Sequence, residues 1–370
     1  MIAHRIQAEL RPDPARVVAR LFLPGEELHR AHSRASQVVG RVMSLAEDEV
    51  ERLAAILLRD FGGRHHNYHA LLRRHASIVS AHIEEARELT AARTLLLGAT
   101  FTAEYATEAA ALCNPSAVLG PDQGGLRAGQ ARVALSVRGI GEGYISSIGF
   151  CSAVVGPGAQ WTFEPRLLPV SVADTTPASW RRARLLISSD LRVFRAHRLA
   201  GPAARNKGMA LFPRKVNGQH LALCRSDGES TSLAGSADGY VWDRPVVLQE
   251  PSAPWEMLQV GNCGPPIETD QGWLVLTHGV GPMRVYVIGT LLLDLDDPTR
   301  VVGYSRTPLL SPGREEQDGY VPNVVYSCGA FMHDDLLWIP YGIDDCRIGV
   351  AYAPLGEVLA DMSRVSYVRR

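Results

Sequence analysis

The stretch Ser236-Ala237-Asp238-Gly239-Tyr240-Val241-Trp242 is one copy of a weak internal repeat, because an earlier stretch has a similar pattern. That earlier copy is Ser188-Ser189-Asp190-Leu191-x-x-Phe194, and each copy follows a strand-like run, Arg184–Ile187 or Thr231–Ala234. A repeated strand-and-turn unit at this spacing is typical of a β-propeller, in which each blade repeats four strands. A β-sandwich with similar turns is the alternative.

The sequence around this repeat, from Asn114 onward, also predicts many short strands. Short β-branched runs alternate with Gly, Pro, Asp and Asn turns, which is the pattern of strands joined by tight connections. The predicted strands include Arg132–Val137, His220–Cys224, Gly272–Thr277, Arg284–Leu293 and Leu336–Pro340. We therefore expect a mainly β fold over this part of the chain.

The preceding segment, residues 44–112, is predicted to be mostly helical. Ser44-Leu45-Ala46-Glu47 has the pattern of a capping box and opens an amphipathic run to Phe61, which Gly62-Gly63 ends. A second helix is predicted over Tyr68–Ala86 and a third over Thr102–Leu112.

Composition and charge exclude several classes of protein. The chain has 370 residues, of which 46% are hydrophobic and 21% charged, and its net charge is −1. This is the composition of a soluble globular protein, without the field that attracts nucleic acid or an anionic membrane. The first residues have no apolar core of a signal peptide, and no run is long enough to span a membrane. Six scattered cysteines without metal-ligand spacing predict reduced thiols and a cytoplasmic protein.

Polar residues stand beside apolar β runs in four short blocks: Ala203–Pro213, Thr277–Gly281, Val321–Val325 and Tyr341–Asp345. With Asn114-Pro115-Ser116 and Arg138-x-x-Gly141-Glu142-Gly143 upstream, this set resembles glycoside hydrolase family 130. That family contains β-mannoside phosphorylases and some β-mannosidases. The resemblance implies a five-bladed β-propeller, with one blade incomplete, over residues 113–370. A mostly helical N-terminal extension would occupy residues 1–112.

The resemblance also implies a set of site residues. A sugar at the cleaved position would be held by Asn114, Ser116, Arg138, Lys207, His278 and Asp345. Their types suit the task, because the hydroxyls of a pyranose need both donors and acceptors. Arg138, Lys207 and His278 would hold the incoming phosphate. Taken one at a time, Asn114-Pro115 is also an ordinary helix-stop turn, His278 a turn residue, Lys207 a surface loop residue and Asp345 a solvated turn residue.

The catalytic acid implied by the family is not located in this sequence. The family's Glu-Asp-Pro/Ala-Arg block should lie between Ile145–Ile148 and Leu185–Phe194, but the interval contains Glu164-Pro165-Arg166 and a single aspartate, Asp174. We interpret this interval as an internal deletion and expect residues 151–185 to be the least regular part of the fold. The helical extension or a second subunit would cover the exposed edge. Weak candidates for the acid are Asp174, Asp122 and Glu142.

The implied activity is phosphorolysis of β-mannosides to mannose 1-phosphate with inversion. Its partners would be a β-mannoside oligosaccharide and inorganic phosphate as co-substrate, with no cofactor, no metal, no nucleic acid and no membrane. A homo-oligomer would fit the same interpretation, because a second subunit would cover the exposed strand edge. The alternatives are a β-mannoside hydrolase, a mannosyltransferase, or a degenerate propeller that binds carbohydrate without turnover.

Overall fold

The computed structural model of the protein describes residues 2–24, 33–80, 89–172, 184–188 and 193–365. Strands predominate in these ranges, which confirms the mainly β class. Among the described residues, none of the helices combines the length and the apolar character that a bilayer crossing requires. The α-helices are α1 (Arg34–Met43), α2 (Glu47–Phe61), α3 (Tyr68–Ser80), α4 (Ala91–Thr100) and α5 (Leu355–Asp361).

The strands fall into three groups along the chain. The first nine are β1 (His4–Leu10), β2 (Val17–Leu21), β3 (Thr102–Ala106), β4 (Ala111–Leu119), β5 (Ala131–Ile140), β6 (Ser146–Gly156), β7 (Gln160–Phe163), β8 (Arg184–Ile187) and β9 (Arg195–Arg198). The next nine are β10 (Lys207–Leu211), β11 (His220–Arg225), β12 (Thr231–Ser236), β13 (Val246–Gln249), β14 (Gln259–Asn262), β15 (Ile267–Thr269), β16 (Gly272–Val280), β17 (Tyr286–Leu293) and β18 (Val301–Tyr304). The last are β19 (Val325–Tyr326), β20 (Phe331–His333), β21 (Leu336–Ile343), β22 (Arg347–Pro354) and β23 (Ser363–Arg364). The five strands that the sequence analysis names are all confirmed, as β5, β11, β16, β17 and β21.

The first two predicted helices are confirmed, but one cap and the third helix are wrong. Ser44 ends α1, while Ala46 is the N-cap of α2 and makes no side-chain cap bond. The helix that follows these two is α4, and it ends before Thr102. Residues Thr102–Leu112 instead form β3 and the start of β4. Pairing of β3 with β2 supplies partners for the backbone of this segment, and such tertiary pairing outweighs a weak helical periodicity. Residues 81–86 of the second predicted helix lie outside the described residues.

The helices pack on one another through their apolar faces. Buried Val50, Ala76, Val79 and Leu97 share one cluster with Phe101, where the chain leaves α4 for β3. Gly98 of α4 lies directly against the backbone of Leu72 in α3, so a side chain there would collide with it. Burial of this shared face is what stabilises such short helices, which are marginal when isolated.

Most of the remaining chain forms antiparallel sheets of similar design. The sheets run in the orders β4-β5-β6-β7, β10-β11-β12-β13, β14-β16-β17-β18-β23 with β15 on β16, and β1-β22-β21-β19 with β20 on β21. A further sheet has two described strands, β8 and β9. Four strands are buried along most of their length because both of their faces are covered: β16, β17, β21 and β22.

The turn over residues 236–242 has the hydrogen bonds that its residue types predict. Asp238 Oδ1 accepts from the N–H groups of Tyr240 and Val241 at 2.8 Å each, and Gly239 N–H donates to Ser236 Oγ. Trp242, which follows the turn, is fully buried. Residues 189–192 of the earlier copy lie outside the described residues, while its last residue, Phe194, stacks on Phe150 of β6.

The interval predicted to be irregular, residues 151–185, contains the second half of β6, the short strand β7 and the start of β8. Between β7 and β8 the described residues, 164–172, form no strand, and residues 173–183 lie outside the description. The segment just before them contacts the N-terminal region, where His66 Nε2 lies 3.0 Å from the Pro169 carbonyl oxygen and Arg166 pairs with Glu108. Strand β1 also pairs with β22. The division of the chain at residues 112 and 113 therefore stays a prediction, since residues before it complete a sheet formed by the end of the chain.

Candidate functional site

Asn114 and Ser116 lie on a bulge in β4. The register of β4 on β5 shifts between Cys113 and Ser116, and Asn114 has φ +50°, a conformation that Asn adopts more readily than most residues. Bulges of this kind re-aim side chains and are common beside active sites. Ser116 forms a parallel bridge with Gly329, and the backbone of Asn114 lies beside Gly342. The bulge therefore faces a second sheet, the one that contains β21.

Arg138 and Asp345 meet next to this bulge. Arg138 pairs with Cys113 across β4 and β5 and donates to Ser146 Oγ from Nε and Nη2, at 3.0 and 2.8 Å. Burial raises the pKa of the Asp345 carboxyl, and the nearby positive charge of Arg138 opposes this rise. We call Asn114, Arg138 and Asp345 the first cluster. Their side chains offer the donors and acceptors that the hydroxyls of a sugar need, and their convergence on one ligand stays a prediction.

His278 belongs to a second cluster and is neutral. Its ring is fully buried in β16, where its Nε2 lies 3.0 Å from Arg225 Nη1. A guanidinium can only donate, so Nε2 must be the unprotonated nitrogen. Burial first, and then the charge of Arg225, lowers the pKa of His278 to about 3. The histidine is therefore an acceptor that orients Arg225, and its predicted role as a direct phosphate ligand stays a prediction.

Arg225, which the sequence argument missed, is the cation at the centre of this second cluster. It ends β11, is 8% exposed and donates through Nη2 to the Gly228 carbonyl oxygen at 3.0 Å. Its side chain passes against Gly261, where a Cβ would come within 2.6 Å of Nε. Within the described residues, Arg225 Nε has no hydrogen-bond partner. A buried, unpaired donor on a fixed cation is suited to an anionic ligand.

Lys207 and a set of buried residues connect the two clusters. Lys207 begins β10 opposite Arg225, is exposed, and lies close enough for its charge to lower the pKa of His278. The ring of Tyr326 packs edge-on against His278 at 5.0 Å between centroids. Cys328, two residues further on, has its pKa raised to about 12 by burial and by the charge of Asp345. His278 and Lys207 thus lie beside Arg225, and Cys328 lies near Asp345 and Arg138; one continuous path with these pairs at its two ends stays a prediction.

Cavities elsewhere in the fold do not contain these residues. One of about 110 Å³ is lined by residues such as Ile2, Thr290 and Ser305. Another, of about 550 Å³, is lined by Gly156, His333, Trp338 and their neighbours. The convergence of the predicted site residues on one cavity therefore stays a prediction.

The three candidates for the catalytic acid differ in position. Asp122 is exposed in the β4–β5 connection, where its Oδ1 accepts from Gly124 N–H at 2.8 Å in an Asx turn. Glu142 is exposed in the β5–β6 connection, at the same end of the sheet as Arg138. Asp174 lies outside the described residues. Of the two described candidates, Glu142 is the one that lies at the same end of the sheet as Arg138.

Glu164-Pro165-Arg166, the superficial match to the family's acidic block, is held in ion pairs. Glu164 accepts from Arg132 Nε at 3.1 Å, and hydrogen bonds from Ser152 and Arg132 lower the pKa of its carboxyl. Arg166 donates to both carboxylate oxygens of buried Glu108 at 2.8 Å. A carboxyl group with a lowered pKa is poorly suited to donate a proton near neutral pH. Glu164 thus ties the segment after β7 to β5, and Arg166 ties it to the N-terminal region.

A pH titration of stability will check the environment of His278. The histidine binds a proton more weakly in the folded protein, with a pKa of about 3, than in the unfolded chain, where the ordinary value is 6.5. Folding should therefore lose stability as the pH falls from about 6.5 toward 3. We expect the free energy of unfolding of His278→Gln to fall by less than that of the wild type, with a difference of a few kcal/mol over this range. Urea unfolding of both proteins at several pH values measures this difference, and parallel curves would contradict it.

A simple signal in the sequence points to Arg225. In three strands a basic residue directly follows the run predicted as apolar strand: Val137-Arg138, Cys224-Arg225 and Thr277-His278. All three residues lie at or near the end of the second strand of their sheets, β5, β11 and β16. Arg138 and His278 were found through the family resemblance, whereas Arg225 required its contact with His278 to be seen.

Comparison with known proteins identifies the family to which the sequence is similar. The sequence model of glycoside hydrolase family 130, described as beta-1,4-mannooligosaccharide phosphorylase, matches residues 173–364. A 1,2-beta-oligomannan phosphorylase of Thermoanaerobacter sp. (strain X514) is 39% identical over 155 residues, which are 41% of this chain and 52% of the relative. A beta-1,2-mannobiose phosphorylase of the same organism is 37% identical over 171 residues, 46% of this chain and 56% of the relative. The chain thus matches about half the length of these curated relatives.

A solved structure extends the likeness beyond the matched sequence. The beta-1,2-mannobiose phosphorylase from Listeria innocua, solved as its complex with beta-1,2-mannobiose, aligns with 70% of this chain and 92% of its own. The TM-score is 0.50 and the identity 21%, which shows a similar fold.

Proposed function

Since the chain belongs to glycoside hydrolase family 130, we propose that it binds β-mannosides and phosphate in the clusters described above and cleaves the mannoside by phosphorolysis. The observation that supports this most directly is the Arg225–His278 pair, whose Arg225 Nε is buried and has no partner among the described residues; Lys207 lies opposite Arg225 on the next strand. A dianion near these two cations gains charge-assisted hydrogen bonds, and Arg binds phosphate through a planar fork of donors.

The sugar would occupy the other end of the path. Asn114 offers both a donor and an acceptor, Asp345 accepts from paired hydroxyls, and Arg138 donates. Ser116 would contribute a hydroxyl at the edge of the same cluster. In the reaction a phosphate oxygen bonds to the anomeric carbon as the glycosidic bond breaks, and the leaving oxygen takes a proton. The products are mannose 1-phosphate and the shortened sugar.

We propose the five-bladed propeller as the architecture that holds these parts together. Contacts between neighbouring sheets support it: β4 bridges the segment of Gly329, Tyr286 bridges Val324, and Ala200 bridges Val241. Phe150 of β6 stacks on Phe194 beside β9, so the two-stranded sheet would be the incomplete blade. Pairing of β1 with β22 would join the two ends of the chain in one blade.

Binding without turnover is the second candidate function. It is favoured by the ion pairs that hold Glu164 and Arg166, because these residues occupy the interval in which the family's acidic block is expected. General acid catalysis typically contributes 10²–10⁴-fold. A site without a placed acid would retain sugar and phosphate binding and lose most of its rate.

We expect the protein to release phosphate only slowly from mannose 1-phosphate in the presence of mannose or mannobiose as acceptor. A typical enzyme turns over about 10 times per second, so loss of acid catalysis predicts a rate on the order of 0.001–0.1 per second. Phosphate release and formation of β-linked product measure the rate. Asp345→Ala should abolish binding of mannose.

The acid candidates are tested in the same assay with Glu142→Gln, Asp122→Asn and Asp174→Asn. An ordinary rate that survives in all three variants would contradict slow turnover and all three candidates together. Absence of binding to mannose, mannobiose and phosphate would contradict the proposed function itself.

A further inference from the structure

The cavity of about 550 Å³ lies between two sheets, at the strand ends opposite to those that carry Arg138 and Asp345. Its lining comes from the β6–β7 turn and the β20–β21 turn, together with Trp338 and Tyr352. The lining residue Leu336 begins β21, whereas Asp345 follows the end of that strand. A strand of eight residues spans roughly 23 Å, so the cavity is separate from the first cluster.

Contacts between the two sheets hold one side of the cavity in place. His333 Nε2 lies 3.2 Å from the Gly129 carbonyl oxygen and 3.4 Å from Asp334 Oδ2. Both partners are acceptors, so Nε2 carries a proton. Gly129 and Pro157 pack so closely that a Cβ on Gly129 would lie 2.9 Å from Pro157 Cγ. The β20–β21 turn and the β6–β7 turn are thus both fixed against the segment before β5.

The wall of the cavity contains a buried donor without a partner. Trp338 is fully buried, and its ring packs on those of Trp161 and Tyr352 with centroid separations of 5.7 and 5.8 Å. Within the described residues, neither Trp338 Nε1 nor Trp161 Nε1 has a hydrogen-bond partner. A buried N–H that stays unpaired costs free energy, and most such groups in proteins are paired. Since Trp338 lines the cavity, a ligand with an acceptor oxygen can supply the missing partner.

The other lining groups select the chemistry of that ligand. Asp334 is exposed, and its carboxylate accepts hydrogen bonds and repels anions. A cation would satisfy Asp334 but would offer no acceptor to Trp338. A hydroxyl group can accept from the indole and donate to the carboxylate. Apolar surface is added by the partly buried residues Ala159, Leu336 and Tyr352. This combination fits a pyranose, which has hydroxyls around its edge and C–H groups on its faces.

We propose that this cavity is a second binding site, for a pyranose ring of a neutral sugar, separate from the first cluster. Trp338 donates to an oxygen of the sugar, Asp334 accepts from a hydroxyl, and Tyr352 contacts the apolar face. The volume lies within the range of about 300–1,000 Å³ that small-molecule sites occupy. Neither phosphate nor a catalytic acid takes part, so the site does not depend on the proposed function.

The test follows the indole N–H signal of Trp338 by NMR. This signal is the one that Trp338→Phe lacks, and tryptophan fluorescence gives the same titration without the assignment. Methyl β-mannoside is the probe, and the protein carries Asp345→Ala, which disables the first cluster. We expect the Trp338 signal to move and to saturate with a Kd in the millimolar range, because its free N–H acquires an acceptor.

Two neighbouring aspartates give a matched pair of variants on this background. Asp334 and Asp335 are both exposed, with φ +50° and +58°, but Asp334 is the one that lines the cavity. Asp334→Asn removes the charge and keeps the shape, so it should weaken binding of methyl β-mannoside about 3- to 10-fold. Asp335→Asn should bind within about 2-fold of the protein that carries Asp345→Ala alone.

The possible outcomes separate this site from the first cluster. A Trp338 signal that stays in place up to tens of millimolar sugar overturns the inference. A shift that Asp345→Ala abolishes also overturns it, because the sugar would then act through the first cluster. Equal binding by Asp334→Asn and Asp335→Asn, or an equal shift with glycerol, overturns recognition of a sugar ring. Failure of the first cluster to bind sugar leaves the expected Trp338 shift unchanged.

Discussion

Replacing Arg225 by methionine is expected to weaken phosphate binding by about 10- to 100-fold. The substitution removes a buried cation whose Nη1 is fixed by His278 and whose Nε is unpaired within the described residues. Hydrogen bonds to charged groups contribute about 1.5–3 kcal/mol each, which corresponds to this range of affinity. Calorimetric titration with inorganic phosphate, and separately with mannose 1-phosphate, measures the change.

Two further variants make this result specific. Arg225→Lys keeps the charge but lacks the planar fork, so it cannot both donate to His278 and present a second donor in the same geometry. We expect it to recover part of the lost affinity. Arg214→Met is the control, since Arg214 is an exposed arginine that pairs with Glu268 and stacks on Trp273. Phosphate binding of wild-type strength in Arg225→Met would show that the anion lies elsewhere.

Replacing Gly264 by alanine is expected to destabilise the fold by about 2–5 kcal/mol. Gly264 has φ +89°, and a Cβ on it would lie 2.1 Å from the Cys328 carbonyl oxygen and 2.6 Å from its carbon. The backbone conformation costs an alanine roughly 1–2 kcal/mol, and relief of the collision typically costs 1–3 more. The displaced segment contains Cys328 and adjoins Tyr326, so we expect sugar and phosphate binding to weaken as well.

The control for this substitution separates strain from collision. Gly218 has φ +79°, and a Cβ on it would meet no atom within 4 Å. The free energy of unfolding of Gly218→Ala should therefore fall only by the cost of the backbone conformation, roughly 1–2 kcal/mol. Urea unfolding of the two variants and the wild type gives the comparison. Equal losses at the two positions would mean that the contact between Gly264 and Cys328 does not constrain the fold.

Local patterns were sufficient where neighbouring residues decide the structure. The run Glu47–Phe61 forms a helix because its apolar residues follow helical spacing, and the Asp238 turn forms because a carboxylate can accept from two backbone N–H groups close in sequence. The predicted strands were found because each is a β-branched run between turn residues. The helix predicted over Thr102–Leu112 was wrong because its partner strand, β2, lies far away in sequence.

The sequence by itself determined the mainly β class and the family, and it predicted most of the residues of the candidate site. These follow from short runs and blocks whose meaning does not depend on distant partners. The tertiary structure decided which of these residues act together, because contacts between sheets join segments that local patterns cannot relate. It placed Arg225 on His278 and tied Glu164 and Arg166 into ion pairs. It also decided protonation, since the burial that makes His278 neutral exists only once β16 is enclosed by its neighbours.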